Sequence, residues 1–102
     1  YDTNSVAVAA KALRTAGIAS RLIVDCSHAN SGKDPLCQPQ VADQVIAQRR
    51  VDTSTIAGVM LESHLETGKQ SLGPNMRYGV SVTDACLGWA PTEQLLRQLA
   101  AG

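Results

Sequence analysis

The sequence predicts an α/β fold in which short apolar strands lie side by side in a parallel sheet. Apolar runs rich in β-branched residues alternate with segments of helical periodicity. The first two runs are continuously apolar, which is typical of strands covered on both faces. A helical segment separates them, which is typical of a strand-helix-strand crossover. An open doubly wound sheet and a few units of a (β/α)₈ barrel both fit this order. A whole barrel needs about 250 residues, so the barrel interpretation makes these 102 residues part of a larger domain.

The elements are predicted to follow one another as helix, strand, helix, strand, long loop, strand and helix. The helices are expected over residues 4–16 and 40–49, the strands over 21–25, 55–62 and 80–84, and the long loop over 63–79. A last helix is expected to have Thr92 as its N-cap. The long loop contains Gly68, Gly73 and Pro74 and lacks periodicity. A loop of that length is more often functional than a simple connection, so we expect a functional loop.

Composition and charge argue against several classes of protein. Nine basic and nine acidic residues give no net charge, so the chain lacks the basic excess that binds nucleic acid. No apolar run approaches the roughly 20 residues of a membrane span. Three cysteines at irregular spacing do not form a disulfide framework. We therefore expect a cytoplasmic protein without nucleic-acid or membrane partners, and the start at Tyr1 rather than Met indicates part of a longer chain.

A carboxylate follows or ends each predicted strand. These carboxylates are Asp25, Glu62 and Asp84, and the nearby residues with metal-binding side chains are His28, His64 and Cys86. The carboxyl ends of parallel strands meet at one rim, so residues far apart in sequence can come together there. Imidazole and carboxylate ligands together suit Mn, Fe, Co or Zn. Helix capping and turn formation explain the same residue types, so the pattern alone leaves a structural role open.

The cysteines suggest a second kind of chemistry. Cys26 and His28 lie two positions apart and would share a face of an extended chain, as a thiol nucleophile and its base require. No third residue that would orient the base is evident. Cys37 is expected to pack as a small hydrophobic residue, and the absence of a Cys-x₂₋₄-Cys pair argues against a structural zinc site.

Three longer segments narrow these alternatives. They are IVDCSHANSGKD at residues 23–34, GVMLESHL at 58–65 and YGVSVTDACLGW at 78–89. In content, order and spacing they resemble three consecutive motifs of the class I 3-deoxy-D-arabino-heptulosonate 7-phosphate (DAHP) synthases. The ending from Thr92 to Ala100 resembles the same family.

The resemblance implies that residues 1–102 are a partial (β/α)₈ barrel, strands 6–8 with their flanking helices. The family condenses phosphoenolpyruvate with erythrose 4-phosphate and releases phosphate, in the first step of the shikimate pathway. By resemblance His28, Glu62 and Asp84 are ligands of a divalent metal ion (Mn, Fe, Co or Zn). His28 and Asp84 are also the predicted catalytic residues. Asp84 is a candidate to carry a proton.

Other parts of the family pattern are missing from the chain. A fourth metal ligand, a cysteine, lies upstream in the family, as do a Lys-Pro-Arg-Thr motif and the basic residues that bind the two substrate phosphates. We therefore expect weak metal binding and no activity from the 102 residues alone. Since a partial barrel has open sheet edges, we expect it either to associate into a homo-oligomer or to be the ordered remnant of a longer chain. The alternative is a noncatalytic α/β metal-binding or regulatory module.

Overall fold

The computed structural model describes residues 1–102 and contains three α-helices and a two-stranded parallel sheet. The elements in chain order are α1 (Thr3–Thr15), β1 (Leu22–Asp25), α2 (Gln38–Val51), β2 (Ile56–Met60) and α3 (Trp89–Ala101). Two short 3₁₀ turns, His28–Ser31 and Pro35–Cys37, connect β1 to α2. The α/β class and the parallel pairing of the first two strands are therefore confirmed. None of the three helices combines the length and the apolar character of a membrane span.

Local sequence signals explain where the first two helices begin and end. The Asp2 side chain accepts a hydrogen bond from the Ser5 N–H at 2.9 Å and caps α1. Gly17 follows the end of α1 with a φ of +73°, a left-handed conformation that glycine adopts without steric cost. Pro39 lies in the first turn of α2, where a backbone N–H has no partner within the helix. The absence of an N–H in proline therefore costs no hydrogen bond there.

The core lies between one face of the sheet and α2. The two strands pair in parallel with Val24 opposite Val59 and Asp25 opposite Met60, so their carboxyl ends lie side by side. The core residues are Val24, Cys26, Val41, Ala42, Val45, Ile56, Leu87 and Leu95. Leu95 brings α3 into this core, which links the last helix to the sheet.

The other face of the sheet is open to solvent. Ile23 in β1 is 70% exposed and Met60 in β2 is 36% exposed. The prediction of strands covered on both faces is wrong for the 102-residue chain, because no element of the chain packs over this side. The radius of gyration of 15.6 Å is above the roughly 13 Å of a compact domain of this size.

The third predicted strand, over residues 80–84, is absent. The segment makes only one bridge-type pairing, between Ser81 and Lys69, and the Gln70 N–H donates to the Ser81 carbonyl at 2.8 Å. The Ser81 hydroxyl accepts a hydrogen bond from the Thr83 N–H at 3.2 Å. Such a local side-chain bond favours a turn over extended backbone, and no neighbouring strand is present to oppose it.

The last helix begins earlier than predicted. α3 starts at Trp89 after Gly88, so Thr92 is not the N-cap but lies inside the helix. Pro91 suits the first turn of a helix because its φ is already helical and its missing N–H would have no partner there. The buried Thr92 hydroxyl instead donates to the Gly88 carbonyl at 2.7 Å and lies 2.7 Å from the Ser63 hydroxyl.

Candidate metal centre

Three side chains from distant parts of the sequence meet beyond the carboxyl ends of the two strands. The Nε2 atom of His28 lies 3.2 Å from Oε1 of Glu62 and 3.5 Å from Oδ2 of Asp84. The three ligand atoms all lie within 4.8 Å of one another. The structure thus brings together the three residues that the sequence singled out as metal ligands.

His28 lies three residues beyond the end of β1, at the start of a 3₁₀ turn. Its φ of +49° lies in the left-handed region, which is uncommon for a residue with a side chain. On the side of the ring away from Glu62, Nδ1 lies 2.7 Å from Oδ2 of Asp25. This hydrogen bond, followed by the charge of Glu62, raises the pKa of the His28 ring above its usual value.

Asp25 contacts His28 and is not a member of the ligand group. The strand-end pattern placed its carboxylate at the same rim as those of Glu62 and Asp84, and the structure places it on the Nδ1 side of the His28 ring. Burial opposes ionisation of the Asp25 carboxyl group, but hydrogen bonds from Ser27 and His28 outweigh it and lower its pKa.

The backbone of Glu62 is held by the side chain of Gln38. The fully buried Gln38 donates from Nε2 to the Glu62 carbonyl at 3.0 Å and accepts from the Glu62 N–H at 2.8 Å. Both the N–H and the carbonyl of Glu62 therefore have hydrogen-bond partners. As a result, the first turn of α2 fixes the position of the Glu62 backbone.

Gln38 was not predicted as a site residue, although the sequence carries a signal for it. It occupies the first position of the buried stripe of α2, ahead of Val41, Ala42 and Val45. A polar side chain on such a stripe needs hydrogen-bond partners inside the protein. The signal indicates a buried amide, but only the fold identifies the Glu62 backbone as its partner.

Asp84 is held by backbone pairing between two irregular segments, 62–70 and 79–89. The Leu87 N–H donates to the Glu62 carbonyl at 3.0 Å, and the N–H groups of Gly68 and Cys86 donate to each other's carbonyls at 2.9 and 3.1 Å. The Glu66 N–H donates to the Gly79 carbonyl at 2.9 Å. Asp84 therefore lies on a loop that is tied directly to the segment bearing Glu62.

The two distances from His28 and the chemistry of the three side chains fit a divalent metal ion. Ligand atoms about 2.1 Å from one ion lie roughly 3.0–3.5 Å apart when the angle between them is about 90–110°. The distances of 3.2 and 3.5 Å from His28 Nε2 lie in this range. One imidazole and two carboxylates suit Mn, Fe, Co or Zn. The exposed positions of His28 and Asp84 leave room for further ligands.

The other polar residues near the rim lie outside this group. His64 is exposed, and its Nδ1 accepts a hydrogen bond from the Leu65 N–H at 2.9 Å. Cys86 directs its thiol to the Asp84 carbonyl at 3.5 Å. Cys37 is half-buried, with its thiol 3.6 Å from the Asp34 carboxylate. Neither His64 nor a cysteine therefore joins the ligand cluster.

The alternative of a Cys26 nucleophile is wrong. Cys26 is fully buried in the core, and burial raises the pKa of its thiol to about 11. A thiol nucleophile needs access to solvent and a substantial thiolate fraction. Cys26 has neither, and the residue that orients the His28 ring is Asp25.

The similarity of the sequence to known proteins agrees with this geometry. Residues 1–97 match the DAHP synthetase I family. The chain belongs to this family. Among curated DAHP synthetase I relatives, it is 47% identical to the phospho-2-dehydro-3-deoxyheptonate aldolase, Tyr-sensitive, of Enterobacter agglomerans, covering 97% of this chain and 48% of that protein. It is 45% identical to the protein of the same name from Escherichia coli K12, covering 97% of this chain and 29% of that protein.

A solved structure has the same fold over nearly all of the chain. The phospho-2-dehydro-3-deoxyheptonate aldolase from Francisella tularensis SCHU S4 superposes with a TM-score of 0.92 at 35% identity, over 98% of this chain and 29% of that chain. The DAHP synthetase I chain described here thus spans between 29% and 48% of the lengths of these relatives.

Proposed function

We propose that this chain forms part of a metal-dependent enzyme that condenses phosphoenolpyruvate with erythrose 4-phosphate to give DAHP and phosphate, the first step of the shikimate pathway. The observation that carries the proposal is the meeting of His28, Glu62 and Asp84 at ligand distances, in a chain that belongs to the DAHP synthetase I family. The names of the relatives support the same reaction.

The corresponding domain assignment is a partial (β/α)₈ barrel over residues 1–102. β1 and β2 would be barrel strands 6 and 7, and the irregular segment 80–84 would occupy the place of strand 8. Three features support this assignment: the parallel pairing of β1 and β2 across a helical crossover, the uncovered sheet face that exposes Ile23, and the match to 29% of a solved relative. A barrel interior would cover Ile23 with side chains from other strands.

Within the proposed enzyme, His28 Nε2, Glu62 Oε1 and Asp84 Oδ2 would hold one divalent ion, Mn, Fe, Co or Zn. When bound, such an ion supplies Lewis-acid stabilisation for the negative charge that develops on the aldehyde oxygen of erythrose 4-phosphate. The two carboxylates offset the charge of a divalent ion, and the fixed backbone of Glu62 limits rearrangement of the site.

The chain's own side chains would have distinct roles beside the substrates. Asp84 is 60% exposed, so its carboxylate can exchange a proton with solvent or with a substrate oxygen, and it is the proposed proton carrier. His28 would act through Nε2 as the imidazole ligand of the ion. The groups that bind the substrate phosphates would come from outside these residues, and we propose a cytoplasmic homo-oligomer as the complete form.

A chimera tests this proposal. The segment of the Escherichia coli relative that matches this chain is replaced by residues 1–102, and phosphate release is measured with both substrates and Mn²⁺. We expect activity that depends on both substrates, is removed by EDTA and is restored by Mn²⁺. The 102-residue chain without the rest of the relative is expected to be inactive.

Substitutions in the chimera separate the enzyme from a noncatalytic metal-binding module. His28→Ala, Glu62→Gln and Asp84→Asn should each reduce activity by at least about 100-fold, whereas His64→Ala should retain it. A folded chimera that binds Mn²⁺ through these three residues but releases no phosphate would contradict the enzymatic proposal and favour the module.

A further inference from the structure

We propose that Asp25 is a positioning residue that fixes the ring orientation and tautomer of His28, so that the Nε2 lone pair points toward Glu62 and Asp84. The inference rests on the proposed metal site. It concerns Asp25, which is not one of the three ligands, and assigns to it the orientation of the His28 ring. The relevant contact is the 2.7 Å hydrogen bond between His28 Nδ1 and Asp25 Oδ2.

Asp25 is itself held firmly enough to orient another side chain. Its Oδ1 accepts hydrogen bonds from the Ser27 N–H at 2.8 Å and from the Ser27 hydroxyl at 2.5 Å. Its backbone carbonyl accepts from the Asn30 side chain at 2.7 Å. As the last residue of β1 it is also paired in the sheet, opposite Met60. Asp25 therefore has its backbone and one carboxylate oxygen fixed, and the second oxygen is left for His28.

The hydrogen bonds specify which nitrogen of His28 carries the proton in the neutral ring. An ionised carboxylate only accepts hydrogen bonds, and both ring nitrogens face one. Nδ1 lies 2.7 Å from Asp25 Oδ2 and Nε2 lies 3.2 Å from Glu62 Oε1, so the shorter contact favours the proton on Nδ1. The Ser27 hydroxyl lies 2.9 Å from Nδ1, but its single proton is directed to Asp25 at the shorter distance of 2.5 Å. Nε2 is then unprotonated and carries the lone pair that a metal ligand requires.

The backbone of His28 gives a second reason for such a contact. A φ of +49° is costly for a residue with a side chain and persists only where surrounding bonds favour it. Residues that follow in the same turn help to hold it, since the Lys33 N–H donates to the His28 carbonyl at 2.8 Å and the Ser31 hydroxyl donates to it at 3.2 Å. Those bonds fix the backbone of His28, whereas Asp25 acts on its ring.

The test compares Asp25→Asn with a matched control, Asp43→Asn, at an exposed position of α2. The first measurement is ¹⁵N NMR of the His28 ring in metal-free protein, at a pH where the ring is neutral. We expect the unchanged protein and the Asp43 variant to have the proton on Nδ1. Asparagine offers both a donor and an acceptor, so Asp25→Asn should mix the two tautomers.

The second measurement is Mn²⁺ binding by calorimetry, made on the chimera because the 102 residues alone are expected to bind metal weakly. Asp25→Asn should weaken Mn²⁺ binding about 10- to 100-fold, whereas Asp43→Asn should leave it within twofold. An unchanged tautomer and affinity in Asp25→Asn would overturn the inference, as would a proton on Nε2 in the unchanged protein. If no variant bound Mn²⁺ but Asp25→Asn still altered the tautomer, the metal proposal would fail while the positioning role of Asp25 remained supported.

Discussion

Two of the clustered side chains are fixed close to regular structure, and the third lies on backbone that has none. His28 and Glu62 follow β1 and β2, whose pairing and shared core with α2 place the strand ends side by side. Asp84 lies in the segment 79–89, which is held by individual hydrogen bonds to residues 62–70. Both halves contribute to the apolar core, since Leu87 of the second segment belongs to it, but only the first half is placed by paired strands.

The two halves of the site are specified by different features of the sequence. The β1–β2 half follows from apolar periodicity, which tolerates conservative substitution of apolar residues. The Asp84 half depends on close backbone approaches, such as that of Gly88, whose N–H donates to the Thr67 hydroxyl at 2.8 Å. Single substitutions outside the ligands should therefore disturb the two halves through different mechanisms.

The largest effect is expected from removal of the imidazole. In the chimera, His28→Ala should weaken Mn²⁺ binding by at least about 100-fold, since loss of a ligand exceeds the 10- to 100-fold effect of losing a residue that only supports a ligand. His64 is the second histidine of the chain and lies outside the cluster, so His64→Ala should bind within twofold of the unchanged protein. Calorimetry with Mn²⁺ measures both, and equal losses in the two variants would contradict the assignment.

The next largest effect concerns the support of Glu62. Gln38→Leu leaves the Glu62 N–H without its partner and leaves the Glu62 carbonyl with the Leu87 N–H alone, which should destabilise the protein by about 1–3 kcal/mol. Gln40→Leu on the exposed side of the same helix is the control and should change stability by less than about 0.5 kcal/mol. Urea denaturation measures both, and equal stability of the two variants would refute the support by Gln38.

A smaller effect is expected in the irregular half. A Cβ atom at Gly88 would lie 2.6 Å from the Thr67 hydroxyl oxygen and 3.0 Å from the Thr67 backbone nitrogen. Gly88→Ala should therefore cost about 1–2 kcal/mol and also weaken Mn²⁺ binding, because it displaces the segment that carries Asp84. At Gly73 a Cβ would meet nothing within 4 Å, so Gly73→Ala is the matched control. Unchanged metal binding in Gly88→Ala would show that this segment does not position Asp84.

These differences also explain which features were predictable from the sequence. The helices, β1, β2 and the convergence of His28 with Glu62 follow from periodicity and from the common direction of parallel strands. The residues 80–84 alternate like a strand, but the local hydrogen bond from the Thr83 N–H to the Ser81 hydroxyl favours a turn there. The support of Glu62 by Gln38 joins residues 24 positions apart, and only the tertiary structure identifies such a pair.

The smallest effect concerns the turn that leads into β2. Hydrogen bonds from Ser54 and then Thr55 lower the pKa of Asp52 to about 2. Because the folded pKa is below the usual 3.8, the stabilisation is complete above pH 3.8 and is lost as the pH falls toward about 2. The difference in melting temperature between the unchanged protein and Asp52→Asn should therefore narrow between pH 5 and pH 2. A difference that stays constant over this range would contradict the lowered pKa.

The most direct measurement of the metal site is an anomalous diffraction map at the manganese edge, from crystals of the protein soaked in millimolar Mn²⁺. We expect one peak about 2.0–2.3 Å from His28 Nε2, Glu62 Oε1 and Asp84 Oδ2, and no peak at this position in crystals of His28→Ala. A peak that lies away from these three atoms, or an empty map at saturating Mn²⁺, would contradict the assignment of the three residues as ligands of one ion.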